Sequence, residues 1–303
     1  MVKFQCTNRQ SKEIKVEMSE DTGFKKELVG CFGDPVWENP TEAMMEAAFA
    51  HHNLKWRYIT TRVSAENLKP AFDGLKAMGY KGFNCTIPHK VAVIDLLDGV
   101  GESAGVMGAV NCVVEEHGKW IGQNTDGKGF VESLSEITSP DAKTVVIFGA
   151  GGAARAISVE MALSGASHIT IVNRDAGRGE ELATVLNDKT PADAVYTPWG
   201  GDYAIPAGTD IVINATCIAL HPNSDDRVPV DASTLAPGMV VADVIPNPPN
   251  TPFLREAAAA GCTTIDGIGM LVNQGRINIK YWTGVDADAE VMRDALRDVL
   301  NLD

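Results

Sequence analysis

The chain has 303 residues, 45% of them hydrophobic, and a net charge of −14 from 26 basic and 40 acidic side chains. That length holds one large or two ordinary domains with packed cores, and the acidic balance argues against nucleic acid or an anionic membrane as the main partner. No apolar run reaches membrane-spanning length, and the start (Met1 to Gln5) leads into charge rather than an apolar signal segment. The six cysteines (Cys6, Cys31, Cys85, Cys112, Cys217, Cys262) are scattered without CxxC spacing. They read as reduced core residues of a cytoplasmic protein, with no metal site and no disulfide framework.

In chain order, residues 1 to about 25 read as a polar peripheral extension. A strand is predicted over Leu28–Phe32 and a helix over Pro40–His52, with Met44, Ala47 and Ala48 on one face. Trp56–Ile59 is strand-like, and Ser64–Met78 is a helix with Leu68, Phe72 and Leu75 on one side. A strand over Gly82–Ile87 and a helix over Val91–Leu97 follow. Gly108–Glu115 and Lys119–Gly122 form a hairpin turning at His117-Gly118. A linker is expected around Gly122–Gly129.

The second half alternates: strand 144–148, helix 152–164, strand 168–172, helix 175–187, strands 194–198, 210–214 and 239–243, helix 252–260, strand 262–265. This rhythm predicts an α/β fold with a parallel, doubly wound sheet. Met270 to Leu302 reads as helix with no strand of its own to join, so it is expected to pack back on the first half and close a cleft. The domains implied are 1–125, completed by 270–303, and a Rossmann-type dinucleotide-binding domain over 126–269.

Within that domain, Val145 to Phe148 runs as an apolar strand into Gly149-Ala150-Gly151-Gly152-Ala153 and then a helix. Gly149 allows the tight turn, Gly151 admits a pyrophosphate, and Gly152 and Ala153 let the helix sit close to the sheet. The next strand ends in Asn173-Arg174-Asp175, followed by Arg178. Two arginines suit the 2′-phosphate of NADP, whereas Asp175 suits the ribose of NAD or caps the helix that follows. The balance leans slightly to NADP over NAD. Thr216 ends a strand at the ligand-binding edge, and the Gly267 to Met270 turn permits close approach to a flat ring, with Met270 as wall or as core.

Hydride transfer at an alcohol needs a group to move the hydroxyl proton. Lys90 follows a strand end and the Pro88 turn, where partial desolvation is expected to lower its pKa. Asp126, among glycines, is a carboxylate to pair with it, and His89 is another possible proton carrier.

Seven motifs then occur in order: Asn84-x-Thr86-x-Pro88-x-Lys90, Gly108-Ala109-Val110-Asn111, Asn124-Thr125-Asp126-Gly127, the glycine loop, Asn173-Arg174, Asn214-Ala215-Thr216 and Gly267-x-Gly269-Met270-Leu271-Val272-x-Gln274. With these, the chain from about residue 28 onward resembles the shikimate/quinate dehydrogenase family. The resemblance implies an active site in the groove between the two domains. There hydride passes reversibly between a nicotinamide cofactor and a ring hydroxyl of shikimate, quinate or a related cyclic polyol acid. Lys90 and Asp126 are the implied catalytic pair, and Thr86, Asn111 and Gln274 the implied ligands of ring hydroxyls. It also implies a monomer or homodimer.

Two departures stand out. The family's Ser-x-Ser-Pro stretch, whose hydroxyls hold the substrate carboxylate, is replaced by Trp37-Glu38-Asn39-Pro40, leaving Trp37 and Asn39 as substrate-side candidates. The family's tyrosine after the strand ending near Asp243 is replaced by Pro246. The polyol half of the pocket is therefore kept while the carboxylate half is altered, as expected either of a shikimate dehydrogenase that anchors its substrate through different groups, the reading that keeps the family's general activity, or of a divergent member acting on a substrate with a different C1 substituent. A non-catalytic sensor is disfavoured by retention of both Lys90 and Asp126.

Overall fold

A computed structural model describes residues 24–37 and 39–302. The N-terminal extension up to residue 23, including Cys6, lies outside the described residues, as does Glu38.

The chain opens with β1 (Glu27–Gly33), α1 (Thr41–His51), β2 (Trp56–Arg62), α2 (Leu68–Met78) and β3 (Gly82–Cys85). There follow α3 (His89–Ala92), β4 (Gly99–Val100), α4 (Glu102–Met107), β5 (Cys112–Glu116) and β6 (Lys119–Gln123). The six strands make one sheet in the order β2-β1-β3-β5-β6-β4. β1 runs parallel to both β2 and β3, and β5 and β6 form the antiparallel hairpin that the pattern predicted. His117 (φ 54°) and Gly118 (φ 83°) give its two-residue turn the positive φ that a tight hairpin needs. α2 buries Leu68, Phe72 and Leu75 at helical spacing and ends at Gly79, whose φ of 75° suits glycine.

After α5 (Asp126–Ser135) come β7 (Thr144–Phe148), α6 (Gly152–Leu163), β8 (His168–Asn173), α7 (Ala176–Lys189), β9 (Asp193–Pro198) and β10 (Ile211–Asn214). β11 (Val240–Asp243), α8 (Pro252–Ala259) and β12 (Thr263–Ile265) complete the second sheet, ordered β12-β11-β10-β7-β8-β9 and parallel throughout. The order reverses between β7 and β10, so the crevice for a ligand opens at the carboxyl ends of those strands. As the succession of strands 194–198, 210–214 and 239–243 predicts, no α-helix joins β9 to β10 or β10 to β11. Trp199, Tyr203 and Ile205 fill that face instead, and the Trp199 indole donates to the Pro229 carbonyl at 2.9 Å.

The tail is two helices, α9 (Gly267–Thr283), stopped at Gly284 (φ 76°), and α10 (Ala289–Leu300). As expected, it returns to the first sheet. Ile268, Val272, Ile279, Trp282, Met292 and Leu296 share one core with Val29, Cys31, Met44, Met45 and Phe49. Burying Met292 and Leu296 alone contributes about 3–6 kcal/mol toward holding α10 there.

The expected linker, residues 122–129, is instead the end of β6, two loop residues and the first turn of α5. α5 is wedged between α6 and α9. A Cβ on Gly127 would lie 2.3 Å from the Ala156 carbonyl oxygen, and one on Gly129 would lie 2.6 Å from the Gln274 nitrogen. These two glycines are therefore contact points that bring the two sheets and the returning helix to one place. Among the described residues, no helix is long and apolar enough to cross a membrane.

Candidate active site

Where α5 begins, α9 passes and β1 and β3 end, a cavity of about 150 Å³ opens. That is smaller than the roughly 300–1,000 Å³ of sites for drug-sized ligands, so the occupant is small. Its lining includes Asn39, Tyr58, Thr86, Lys90, Asn111, Asp126 and Gln274.

Lys90 Nζ donates to Asp126 Oδ2 at 2.7 Å, with side chains about one-third and one-fifth exposed. Burial by itself would push the Lys90 ammonium down, but the charge and hydrogen bond of Asp126 outweigh it and hold the group above its ordinary value. The expectation of a lowered lysine is thus corrected, because the carboxylate partner overrides desolvation. The other Asp126 oxygen, Oδ1, accepts from Asn111 Nδ2 at 2.7 Å. Asn111 also takes the Thr125 backbone N–H on its Oδ1 at 2.7 Å, which fixes which end of its amide faces the carboxylate.

Four of the five substrate-side residues predicted from the sequence line this cavity: Thr86, Asn111, Gln274 and Asn39. The fifth, Trp37, does not. Its side chain is 69% exposed, and the Arg62 guanidinium lies over its ring at 5.4 Å. Arg62 Nε also donates to Asp34 at 2.8 Å, so that acidic group is spent on the rim. Asn39 Oδ1 accepts the Thr41 backbone N–H at 3.0 Å at the start of α1, which turns its amide nitrogen toward Cys31 and the cavity. His89 does not line this cavity. It is buried, and its Nε2 meets the Val63 carbonyl at 2.7 Å and must donate to it.

Tyr58 and Asn84 are the lining residues the sequence reading left without a role. The Tyr58 hydroxyl donates to Asn84 Oδ1 at 2.8 Å, while Asn84 Nδ2 donates to the Asn111 carbonyl at 2.9 Å. The signal was present: a tyrosine at the inward position of a predicted strand needs a buried partner for its hydroxyl.

At the carboxyl edge of the second sheet, Gly149 (φ 108°) turns the chain, and a Cβ there would press to 3.0 Å from the Ala215 carbonyl oxygen. By contrast, Cβ atoms on Gly151 and Gly152 would meet nothing within 4 Å, so the N-terminus of α6 faces open space. With half-buried Ala150 and Ala153 beside it, this cradle suits a phosphate group. Asp175 proves to be the cap of α7, accepting the Arg178 backbone N–H at 3.1 Å, and Asn173 Nδ2 donates to the Asp175 carbonyl at 2.8 Å. The Arg174 guanidinium lies 5.9 Å from the centre of the Trp199 ring. Arg174 and Arg178 are both exposed at this strand end.

Thr216 bonds Asn214 Oδ1 at 2.7 Å, and Asn214 Nδ2 bonds Asp243 Oδ1 at 3.0 Å. Gly267 is the first residue of α9, capped by Asp266, rather than part of a turn before it. A Cβ there would lie 2.4 Å from the Val244 carbonyl oxygen, so its smallness serves packing. Met270 is half-buried against the core of the second sheet.

Comparison with known proteins agrees with this arrangement. Residues 31–113 match the shikimate dehydrogenase substrate binding domain, 132–227 the shikimate/quinate 5-dehydrogenase model and 267–297 the shikimate 5′-dehydrogenase C-terminal domain. The chain is 41% identical over 283 residues to a shikimate dehydrogenase (NADP(+)) of Methanothermobacter thermautotrophicus, covering 92% of this chain and 99% of that one. It is also similar to the ligand-free crystal structure of 5-ketofructose reductase of Gluconobacter sp. strain CHM43, with 55% identity, TM-score 0.89, and 91% and 100% of the two chains covered. The Listeria monocytogenes shikimate 5-dehydrogenase, solved with shikimate and NAD, aligns at 29% identity with TM-score 0.85 over 94% of this chain and all of that one. The chain belongs to the shikimate/quinate dehydrogenase family.

Proposed function

We propose that the chain is an NADP-dependent oxidoreductase of the shikimate dehydrogenase type. It catalyses reversible hydride transfer between the nicotinamide and a ring hydroxyl of shikimate or a related small polyol. The observation that carries this reading is the Lys90–Asp126 pair, 2.7 Å apart in a small cavity otherwise lined by amides and hydroxyls. Amides and hydroxyls each offer a donor and an acceptor, which matches a polyol.

A nicotinamide cofactor, when bound, would supply or take the hydride. As the ammonium, Lys90 gives its proton to the substrate oxygen during reduction, and as the neutral amine it takes the hydroxyl proton during oxidation. Asp126 holds Lys90 and orients the substrate, Thr86, Gln274 and Asn39 bond the remaining oxygens, and Asn111, whose two Nδ2 protons go to Thr125 and Asp126, acts by holding Asp126. Gly149 to Ala153 and the N-terminus of α6 would hold the pyrophosphate, Asn173, Arg174 and Arg178 the adenosine end with its 2′-phosphate, and Thr216 and Met270 the nicotinamide end. With Asp175 engaged as a cap, the arginines favour NADP over NAD. The unit is residues 126–269, set against a catalytic unit of 1–125 and 270–303, in a cytoplasmic monomer or homodimer.

A second substrate reading rests on Asn39. Among the described lining residues, Lys90 is the lone cation, and Asp126 already neutralises it. Around Asn39 the lining offers its amide, the Cys31 thiol and the Thr41 hydroxyl, none of them charged. That corner favours an uncharged polyhydroxy ketone, in keeping with 55% identity to a 5-ketofructose reductase. The test follows NADPH absorbance with 3-dehydroshikimate and with 5-ketofructose. Turnover of 3-dehydroshikimate supports the family substrate, and turnover of the ketosugar alone supports the neutral one. Turnover of neither by folded, NADPH-binding protein refutes the assignment.

A further inference from the structure

The cavity is connected to the returning helix by a chain of buried amides whose directions are dictated at both ends. At one end the Leu271 carbonyl can only accept, so the nitrogen of Gln274 must face it, at 3.0 Å. Gln274 Oε1 then faces Asn278, whose Nδ2 donates to it at 3.0 Å. That leaves Asn278 Oδ1 to accept the Thr125 hydroxyl proton at 2.8 Å. With its proton so used, the Thr125 oxygen accepts from Asn111 Nδ2 at 3.0 Å. The other end is fixed independently: the Thr125 backbone N–H sets Asn111, and the second Asn111 Nδ2 proton falls on Asp126 Oδ1. Both ends require the same direction for every bond between them. Asn278 and Thr125 have no solvent exposure, so neither can exchange a lost partner for water.

We propose that Asn278 is a positioning residue for the reaction. It joins α9 to the loop before α5, across 153 positions of sequence, and acts in two directions. Toward Thr125 it holds Asn111, and through Asn111 the free oxygen of Asp126. Toward Gln274 it holds Oε1 inward, so the second Nε2 proton of Gln274 faces the cavity as a donor to a substrate oxygen. The proposal rests on the reading of Lys90 and Asp126 as the proton-handling pair.

The experiment compares wild type with Asn278→Ala, Asn278→Asp, Thr125→Val and Thr125→Ser. Steady-state kinetics use NADPH with 3-dehydroshikimate or 5-ketofructose, and the Lys90 ammonium is titrated by 15N-lysine NMR assigned with Lys90→Arg. NADPH-induced thermal stabilisation reports folding. Asn278→Ala is expected to bind NADPH as wild type does, lose about 10- to 100-fold in kcat and raise KM. Asn278→Asp still accepts from Thr125 but cannot donate to Gln274, so KM rises more than kcat falls. Thr125→Val lowers kcat, and Thr125→Ser, which keeps the hydroxyl, recovers most of that loss. The Lys90 titration moves down in Asn278→Ala and Thr125→Val because Asp126 is no longer held.

The proposal is overturned if Asn278→Ala matches wild type in kcat, KM and the Lys90 titration. It is also overturned if every variant loses only NADPH-binding protein, with unchanged kinetics for what remains. Should wild type turn over neither substrate, the functional reading fails, and the Lys90 titration still decides whether Asn278 positions Asp126.

Discussion

Asp243 ends β11 inside the protein, and burial pushes its carboxyl from 3.8 up to about 6, against hydrogen bonds from Thr251, Asn214 and the Ile245 backbone that pull it down. A carboxyl whose folded value is raised binds its proton more tightly in the folded state. Its stabilising contribution is complete below pH 3.8, is lost as pH rises through about 6, and is absent above that. Two units correspond to about 3 kcal/mol at neutral pH, which the fold bears to keep this anion. Asp243→Asn removes the charge. The amide oxygen can still accept from Asn214 and from Ile245, bonds of 3.0 and 3.1 Å, and the amide nitrogen can donate to Thr251 Oγ1. The 2.7 Å bond donated by Thr251 is lost in exchange, at about 1 kcal/mol. The variant should therefore be more stable than wild type by about 2 kcal/mol at pH 7.5, with the gain falling to about zero near pH 4.5. Urea denaturation at those two pH values measures it. A stability difference that does not change between them refutes the reasoning, whatever its sign, because only the ionisation of Asp243 makes it depend on pH.

Lys90→Ala is expected to lower kcat by about 10²- to 10⁴-fold with little change in NADPH-induced thermal stabilisation; near-normal turnover would remove the lysine from the mechanism. Because Asp126 holds Lys90 above its ordinary 10.5, the rate of reduction should stay flat through neutral pH and decline only at strongly alkaline pH, while oxidation climbs toward high pH. A pH–rate profile of reduction falling near pH 8 would contradict this. Gly127→Ala gains about 1 kcal/mol of helix propensity but drives a Cβ to 2.3 Å from a backbone carbonyl, a clash of about 1–3 kcal/mol or more, so net destabilisation in urea is expected. Arg174→Ala should raise KM for NADPH by about tenfold and leave KM for NADH nearly unchanged, and equal effects on both would place the arginine away from the 2′-phosphate.

Much of this arrangement was legible in the sequence because it depends on local rules. Val145 to Ala153 reads as strand, turn and helix because each residue's own preference agrees with its place. The hairpin at His117-Gly118 and the buried face of α2 are legible for the same reason. α5 was not legible. Gly127 and Gly129 weaken its helical propensity, and what holds the helix is close contact with α6 and α9, which come from far along the chain. The same distinction runs through the site. Lys90 and Asp126 were named from their motifs, but the direction of the lysine shift was missed because it depends on their 2.7 Å separation. Asp175 had two readings until its side chain was seen to accept the Arg178 N–H. Asn278 carries no motif at all, and its place follows only from where a helix more than 150 positions later comes to rest.

The division of the pocket into a retained and an altered half follows from where charge can be buried. Lys90 and Asp126 tolerate burial because each neutralises the other at contact distance and Asp126 keeps a second hydrogen bond, from Asn111. A substrate carboxylate at the far wall would need the same treatment, since an unpaired buried anion costs several kcal/mol. Arg62 does not line the cavity and is committed to Asp34 and to the Trp37 ring. Apart from Lys90 and Asp126 the lining, with the Asn39 amide, the Thr41 and Tyr58 hydroxyls and Leu271, supplies hydrogen bonds and apolar contact without charge. The proton-transfer end is indifferent to this, because its chemistry needs only a carbonyl or hydroxyl oxygen near Lys90. Under the proposed function the Lys90–Asp126 pair does not by itself distinguish one polyol from another, so the choice of substrate falls to the rest of the lining.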